Sequence, residues 1–235
     1  MFVVVGDVVA SRRVADAAAL LDGLTGCLRR VNDDVAAVLP LTLVVRDEFH
    51  GMYDSLSRAV EAALRLRLYT GDLVLDTSDG KPEPVDVRVG IGAGDAVISD
   101  TGTPSGPAWF HARDAKDVAQ ELPGKAKWPP SLRAVCRSDD PSFQAAVNAY
   151  LICQDQLLAR MDARDRRALR GLLDGERQID VADDLGVTQP AIARRVKERG
   201  ALALHRSLQA LALVTDPSPT PTIPAPTHQG APSHG

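Results

Sequence analysis

Three carboxylates stand where short apolar runs meet polar turns. Asp7 follows the run at residues 2–5 and Gly6, and Asp47 and Glu48 lie between two β-forming runs, 41–45 and 49–53. If the first strand lies beside that hairpin, the three side chains meet at one edge of a sheet. Two or three carboxylate oxygens there suit Mg²⁺ or Mn²⁺, which favour carboxylates together with substrate phosphates. The competing reading is of solvated turn residues, because Asp commonly ends a strand and a hairpin tip is commonly acidic. Gly90, Gly92 and Gly94 also have two readings. No Lys-Ser/Thr pair follows them as a P-loop requires, so a bulge or tight turn that lets the sheet approach a ligand or a helix is favoured over a phosphate loop. His50 and His111 read as packed or solvated side chains rather than as bases.

A second constellation runs from Gln178 to Gly200, QIDVADDLGVTQPAIARRVKERG. Val181, Ala182 and Leu185 form the apolar face of a first helix. Gly186 supplies a left-handed turn and Val187 plugs the space between helices. Thr188 is placed to cap a second helix through its hydroxyl, with Pro190 near the start, where a missing N–H does no harm. Ile192 and Val196 then face inward, which leaves Gln189, Ala191, Arg194, Arg195 and Lys197 toward solvent. The string resembles the helix-turn-helix of bacterial regulators and of sigma-factor region four. Such a recognition helix needs a short polar N-terminus near base edges and cations near phosphates. Thr188, Gln189, Pro190, Arg194, Arg195 and Lys197 are therefore the candidate contacts to double-stranded DNA. Gln189 suits adenine, and Arg194 or Arg195 suits guanine or phosphate. The plainer alternative is a helical hairpin that packs on the body or meets another protein.

The elements that must position these groups follow from apolar periodicity. Residues 14–31 carry Ala17, Leu20, Leu21, Leu24 and Leu28 at helical spacing, and 56–68 carry Leu56, Ala59, Val60, Ala63 and Leu64. Residues 85–91 alternate as a strand, and 108–122 and 143–161 read as helices. Strand, helix, hairpin, helix, strand, helix is an α+β pattern resembling a ferredoxin-like sandwich, with helices over one sheet. Residues 165–173 are the supporting helix of the helix-turn-helix. Residues 201–214 form a last amphipathic helix whose Leu204, Leu208, Leu211 and Val214 make either core or a dimer seam.

Four blocks in order, GDVVASRR (Gly6 to Arg13), DEFHG (Asp47 to Gly51), RVGIGAGD (Arg88 to Asp95) and GPAWFHARDA (Gly106 to Ala115), resemble the SatD family of bacterial proteins over roughly residues 1–155. They are distantly similar to the catalytic domains of class III nucleotide cyclases and GGDEF-type cyclases. That similarity implies a cyclase-like fold in which Asp7 and Asp47 are a metal pair, with Glu48 as substitute, holding Mg or Mn. It also implies a nucleotide ligand whose phosphates meet Arg88, Gly92 and Arg113. The chain departs from those patterns at three points. Arg46 precedes Asp47 where the SatD pattern usually has Gly. Trp109 stands four residues before Arg113, where class III cyclases have Asn. No base-recognising Lys falls inside the matching blocks. These departures point to binding without turnover.

Composition bounds the rest. The chain has 235 residues, 27 Lys+Arg against 31 Asp+Glu, 45% hydrophobic residues and three cysteines without a CxxC pair. This excludes general disorder, a disulfide framework and a cysteine-ligated zinc site, and a reducing cytoplasm is expected. No run is long and apolar enough for a membrane span. Residues 160–206 hold 11 basic and 8 acidic residues, a net of +3, whereas 1–159 hold 16 and 22, a net of −6. The expected organisation is an α+β domain (1–159), an all-α helix-turn-helix domain (160–214) and a Pro/Thr-rich disordered tail (215–235). The expected function is a DNA-binding transcriptional regulator, a homodimer because such units bind paired half-sites. Its body would act as a sensor or dimerisation domain. The rival is a metal-dependent nucleotide cyclase or nucleotidyltransferase tethered by its helix-turn-helix.

Overall fold

A computed structural model describes residues 1–99 and 104–214; the segment expected to be a tail, 215–235, lies outside the described residues. Strand β1 (Phe2–Val8) is buried along its whole length. Its side chains alternate: Phe2, Val4 and Val8 enter one apolar core, and Val3 and Val5 enter another. A strand buried on both faces needs a layer of helices on each, and the chain supplies both.

On one face lie α1 (Ala17–Asp34), α2 (Leu56–Thr70) and α4 (Pro141–Leu158), which contribute Leu24, Leu28, Ala59, Val60, Val147 and Leu151 to the larger core. On the other lies α3 (Pro107–Glu121), with Ala108, Trp109 and Ala112 against Val3, Val5 and Met52. The main sheet has five strands in the order β2-β3-β1-β6-β9. Here β2 is Leu39–Val45, β3 Glu48–Tyr53, β6 Val87–Ala93 and β9 Ala134–Arg137. Neighbours are antiparallel except β6 and β9, which are parallel with α3 in the crossover. Two small hairpins, β4 (Val74–Asp76) with β5 (Pro82–Pro84) and β7 (Val97–Ile98) with β8 (Pro104–Ser105), decorate it. The protein is thus mixed α+β, with a mixed sheet and eight α-helices among the described residues.

Several boundaries differ from the sequence expectation for local reasons. The first helix starts at Ala17 rather than 14, because the Asp16 carboxylate accepts hydrogen bonds from the Ala18 and Ala19 amides at 2.9 and 3.0 Å. Before it, Ser11–Arg13 form a single 3₁₀ turn. Strand β1 continues past residue 5, so Asp7, expected just after the strand, is a strand residue opposite Arg88 of β6. Strand β9 has no counterpart in the sequence expectation.

The C-terminal helices are α5 (Ala163–Leu173), α6 (Gln178–Asp184), α7 (Gln189–Glu198) and α8 (Ala201–Leu211). Leu204 packs with Leu64 and Leu68 of α2, and Leu208 joins the large core. The apolar stripe of the last helix therefore serves as core at these two positions. No helix among the described residues is long and apolar enough to cross a membrane.

Candidate functional site

Helices α6 and α7 are joined by a short turn in which Gly186 adopts φ 61°, a left-handed conformation that glycine tolerates without strain. The Val187 amide donates to the Ala182 carbonyl at 3.0 Å, which aims Val187 at a small core of Ala168, Val181, Ala182, Ile192 and Val196. Helix α5 closes that core from behind. Three helices thus bury the apolar positions read from the sequence. Thr188, Gln189, Pro190, Arg194 and Lys197 remain exposed, together with Arg199 just beyond α7, a cation that the motif alone does not single out. Thr188 occupies the cap position, but its hydroxyl makes no capping bond; the Thr188 carbonyl accepts from Ala191 and Ile192.

Arg195 is not part of this exposed set. Its Nη1 donates to Asp165 Oδ1 at 2.6 Å and to Asp162 Oδ2 at 2.9 Å, at the start of α5. These two acids form a capping box: Asp162 accepts from the Asp165 amide at 2.8 Å, and Asp165 accepts in return from the Asp162 amide. The amide of Asp165, and then Arg195, hold the Asp162 carboxyl below its ordinary range. The two carboxylates push the Arg195 guanidinium upward. Arg195 is a clasp between α7 and α5, so the guanidinium expected at DNA is engaged by two carboxylates of the protein itself.

The three-helix unit is joined to the body by charge as well as by packing. Arg65 of α2, almost fully buried, donates to Glu61 at 2.8 Å and to Asp174 at the end of α5 at 2.5 Å, with Asp34 of α1 at 3.3 Å. Burial opposes its charge, yet the hydrogen bonds with Asp174 and Glu61 outweigh that and raise its pKa. Arg170 of α5 pairs with Asp72 at 2.5 Å.

Of the carboxylates expected at a metal, Asp7 lies near the end of β1, and Asp47 and Glu48 lie at the β2–β3 hairpin turn. Asp7 accepts from Arg88 Nε at 2.7 Å and has Lys116 Nζ of α3 at 3.8 Å; Glu48 takes the same Lys116 at 3.1 Å. Cations already neutralise two of the three expected ligands, which does not fit a divalent metal. Among the described residues no three His, Cys, Asp or Glu side chains gather as a ligand set. Asp7 and Asp47 do share a cleft of about 700 Å³, also lined by Arg12, Arg13, Arg46 and Arg88. The expected meeting of strand end and hairpin tip is therefore present, with guanidiniums dominating it.

Gly92 and Arg113, expected at phosphates, are elsewhere. A Cβ on Gly92 would sit 2.0 Å from the Ala108 carbonyl, and one on Gly90 2.0 Å from that of Ala112, so the α3 backbone fills the space over both. The alternate glycines admit a helix and leave no room for a ligand there. Arg113 lies on the exposed side of α3 and does not line the cleft. Burial, and then the charge of Arg113, lower the pKa of His50, whose ring meets Trp109 edge-on. His111 is a packed side chain, bonded through Nδ1 to the Ala93 carbonyl at 2.9 Å. No family model matches this chain, and no curated protein matches it.

Proposed function

We propose that this chain is a DNA-binding protein, a transcriptional regulator that reads duplex DNA with α7. The observation that carries the reading is the exposed arc of α7. Gln189 and Pro190 open the helix, Arg194 and Lys197 follow on its outer side with Arg199 just beyond, and the apolar side packs on α5, α6 and Leu202 of α8. A helix presented in this way fits the major groove: its N-terminal polar side chains reach base edges while its cations reach phosphates. Gln189 would take adenine, and Arg194 guanine or phosphate. On this reading the protein binds as a dimer, and residues 1–159 are the SatD-like sensor or dimerisation part. The succession β1, α1, β2, β3, α2, β6, with the hairpin beside β1, supports a cyclase-like body. The paired state of Asp7 and Glu48 weighs against the enzyme alternative.

The test is fluorescence anisotropy of the full chain on a pool of random-sequence duplexes over a range of salt. Wild type should bind, with log K falling linearly with log salt. R194A/K197A/R199A should reduce that slope by roughly 0.9 for each phosphate the variant no longer neutralises. These positions avoid the clasp at Arg195, so a binding defect would not be a folding defect. An unchanged slope and affinity in the triple variant would rule out α7 as the DNA-reading element.

A further inference from the structure

The cleft at the end of β1 has features that DNA binding does not use. Four guanidiniums line it against two carboxylates. Arg88 faces Asp7, and Arg13 faces Glu83 at 3.2 Å, but Arg12 and Arg46 have no carboxylate partner among the described residues. The two come from separate segments, the 3₁₀ turn after β1 and the β2–β3 hairpin turn, and line the same space. The backbone there is also unusual. Ala10 and Arg46, at φ 54° and 55°, are the two non-glycine residues with left-handed φ among those described, and both line this cleft. Left-handed φ disfavours residues with a Cβ, and such strain concentrates at binding sites. Glycine would relieve it at position 46, but without a cation.

We propose that this cleft is a metal-independent site for a small molecule bearing a diphosphate group. Guanidinium forks match phosphate oxygens and bind them with charge-assisted hydrogen bonds. Arg12 and Arg46 are the donors free of carboxylates, with Arg13 alongside. A cleft of about 700 Å³ lies within the usual range for small-molecule sites and exceeds what a diphosphate alone fills. The organic remainder of the ligand lies on the apolar wall of Val8, Ala17, Leu20 and Leu21. Asp47, which has no cationic partner among the described residues, accepts a hydrogen bond from a hydroxyl or amine of that remainder.

The test is calorimetric titration of the full chain with inorganic pyrophosphate, in EDTA and at constant ionic strength. Saturable single-site binding is expected. R12A/R46G should weaken it roughly hundredfold, the effect of removing two charge-assisted hydrogen bonds. Because glycine suits the left-handed turn, R46G alone should melt no lower than wild type, which separates a binding defect from a folding defect. R12Q alone gives a second reading that leaves the hairpin untouched. R194A/K197A/R199A should keep pyrophosphate affinity, so failure at the cleft and failure of the DNA reading are distinguishable. The proposal is overturned if pyrophosphate gives no saturable binding, if R12A/R46G binds as wild type does, or if binding requires added Mn²⁺.

Discussion

Arg194 and Arg195 are adjacent cations on one helix, the first exposed and the second held by two carboxylates. Replacing Arg195 with Ala removes the bonds to Asp162 and Asp165. Asp165, with 4% of its side chain exposed, keeps only the Asp162 amide at 3.3 Å. Breaking a buried ion pair on one side costs about 3–5 kcal/mol. Arg195 retains 27% exposure and Asp162 56%, so water screens part of the interaction, and the expected loss falls to about 2 kcal/mol. With a urea m value of about 3 kcal/mol/M for a chain of this size, the midpoint falls by ~0.7 M. R194A should stay within about 0.5 kcal/mol of wild type. In a D165N background the stranded charge is absent and R195A should cost about 1 kcal/mol less, a coupling read from the double-mutant cycle. Urea denaturation followed by circular dichroism measures all five proteins, wild type, R194A, R195A, D165N and D165N/R195A. If R195A were as stable as wild type while losing as much DNA affinity as R194A, the clasp would be wrong and Arg195 would belong on the DNA face.

Gly92→Ala places a Cβ 2.0 Å from the Ala108 carbonyl and 2.4 Å from the Ala112 nitrogen. Both are backbone atoms that cannot swing aside, so a loss of roughly 3 kcal/mol or more is expected in the same denaturation assay. A phosphate-loop glycine would lose ligand affinity at unchanged stability instead. The Asp162 carboxyl is held below its ordinary value of 3.8. Its contribution is therefore complete above that value and lost as pH falls through the lower folded value. Stability measured against pH should show wild type losing its advantage over D162N only below about pH 4. A difference that persists unchanged to the lowest pH would show that the charge of Asp162 does not matter.

The helix pair α6 and α7 and the turn between them are legible in the sequence because their signals are local. Gly186, Val187 and the spacing from Val181 to Val196 fall within one short stretch, and each specifies a turn or a buried position. The role of Arg195 is not legible there. Helical periodicity puts it at the margin of the exposed arc, and its partners lie 30 and 33 residues earlier, at the start of α5. Strand β9 escapes a sequence reading because a four-residue buried run has no diagnostic period; its strand identity comes from pairing with β6, some 45 residues away. Asp7 is misjudged for the same reason, since only the ladder to Arg88 shows that β1 continues through it. Glycines 90 and 92, two apart on one strand, share a face, so close approach of some element is readable. That the element is α3, with no ligand between, requires the fold.

The packing of α5 and α8 against α2 bears on how a DNA-reading helix would be aimed. Only residues 159–162 connect α4 to α5, and Met161 among them is buried with Leu64, Leu158 and Leu169. Met161 thus packs the connection into the apolar layer shared by α2, α4, α5 and α8. The direction of α7 is set by the sheet through α2, Arg65 and the shared apolar layer, so two copies could not adjust their reach by bending a tether. The permitted separation of two DNA half-sites would then be a property of how the α+β bodies meet, and inserting a base pair between those half-sites would find no compliance in the protein to absorb it.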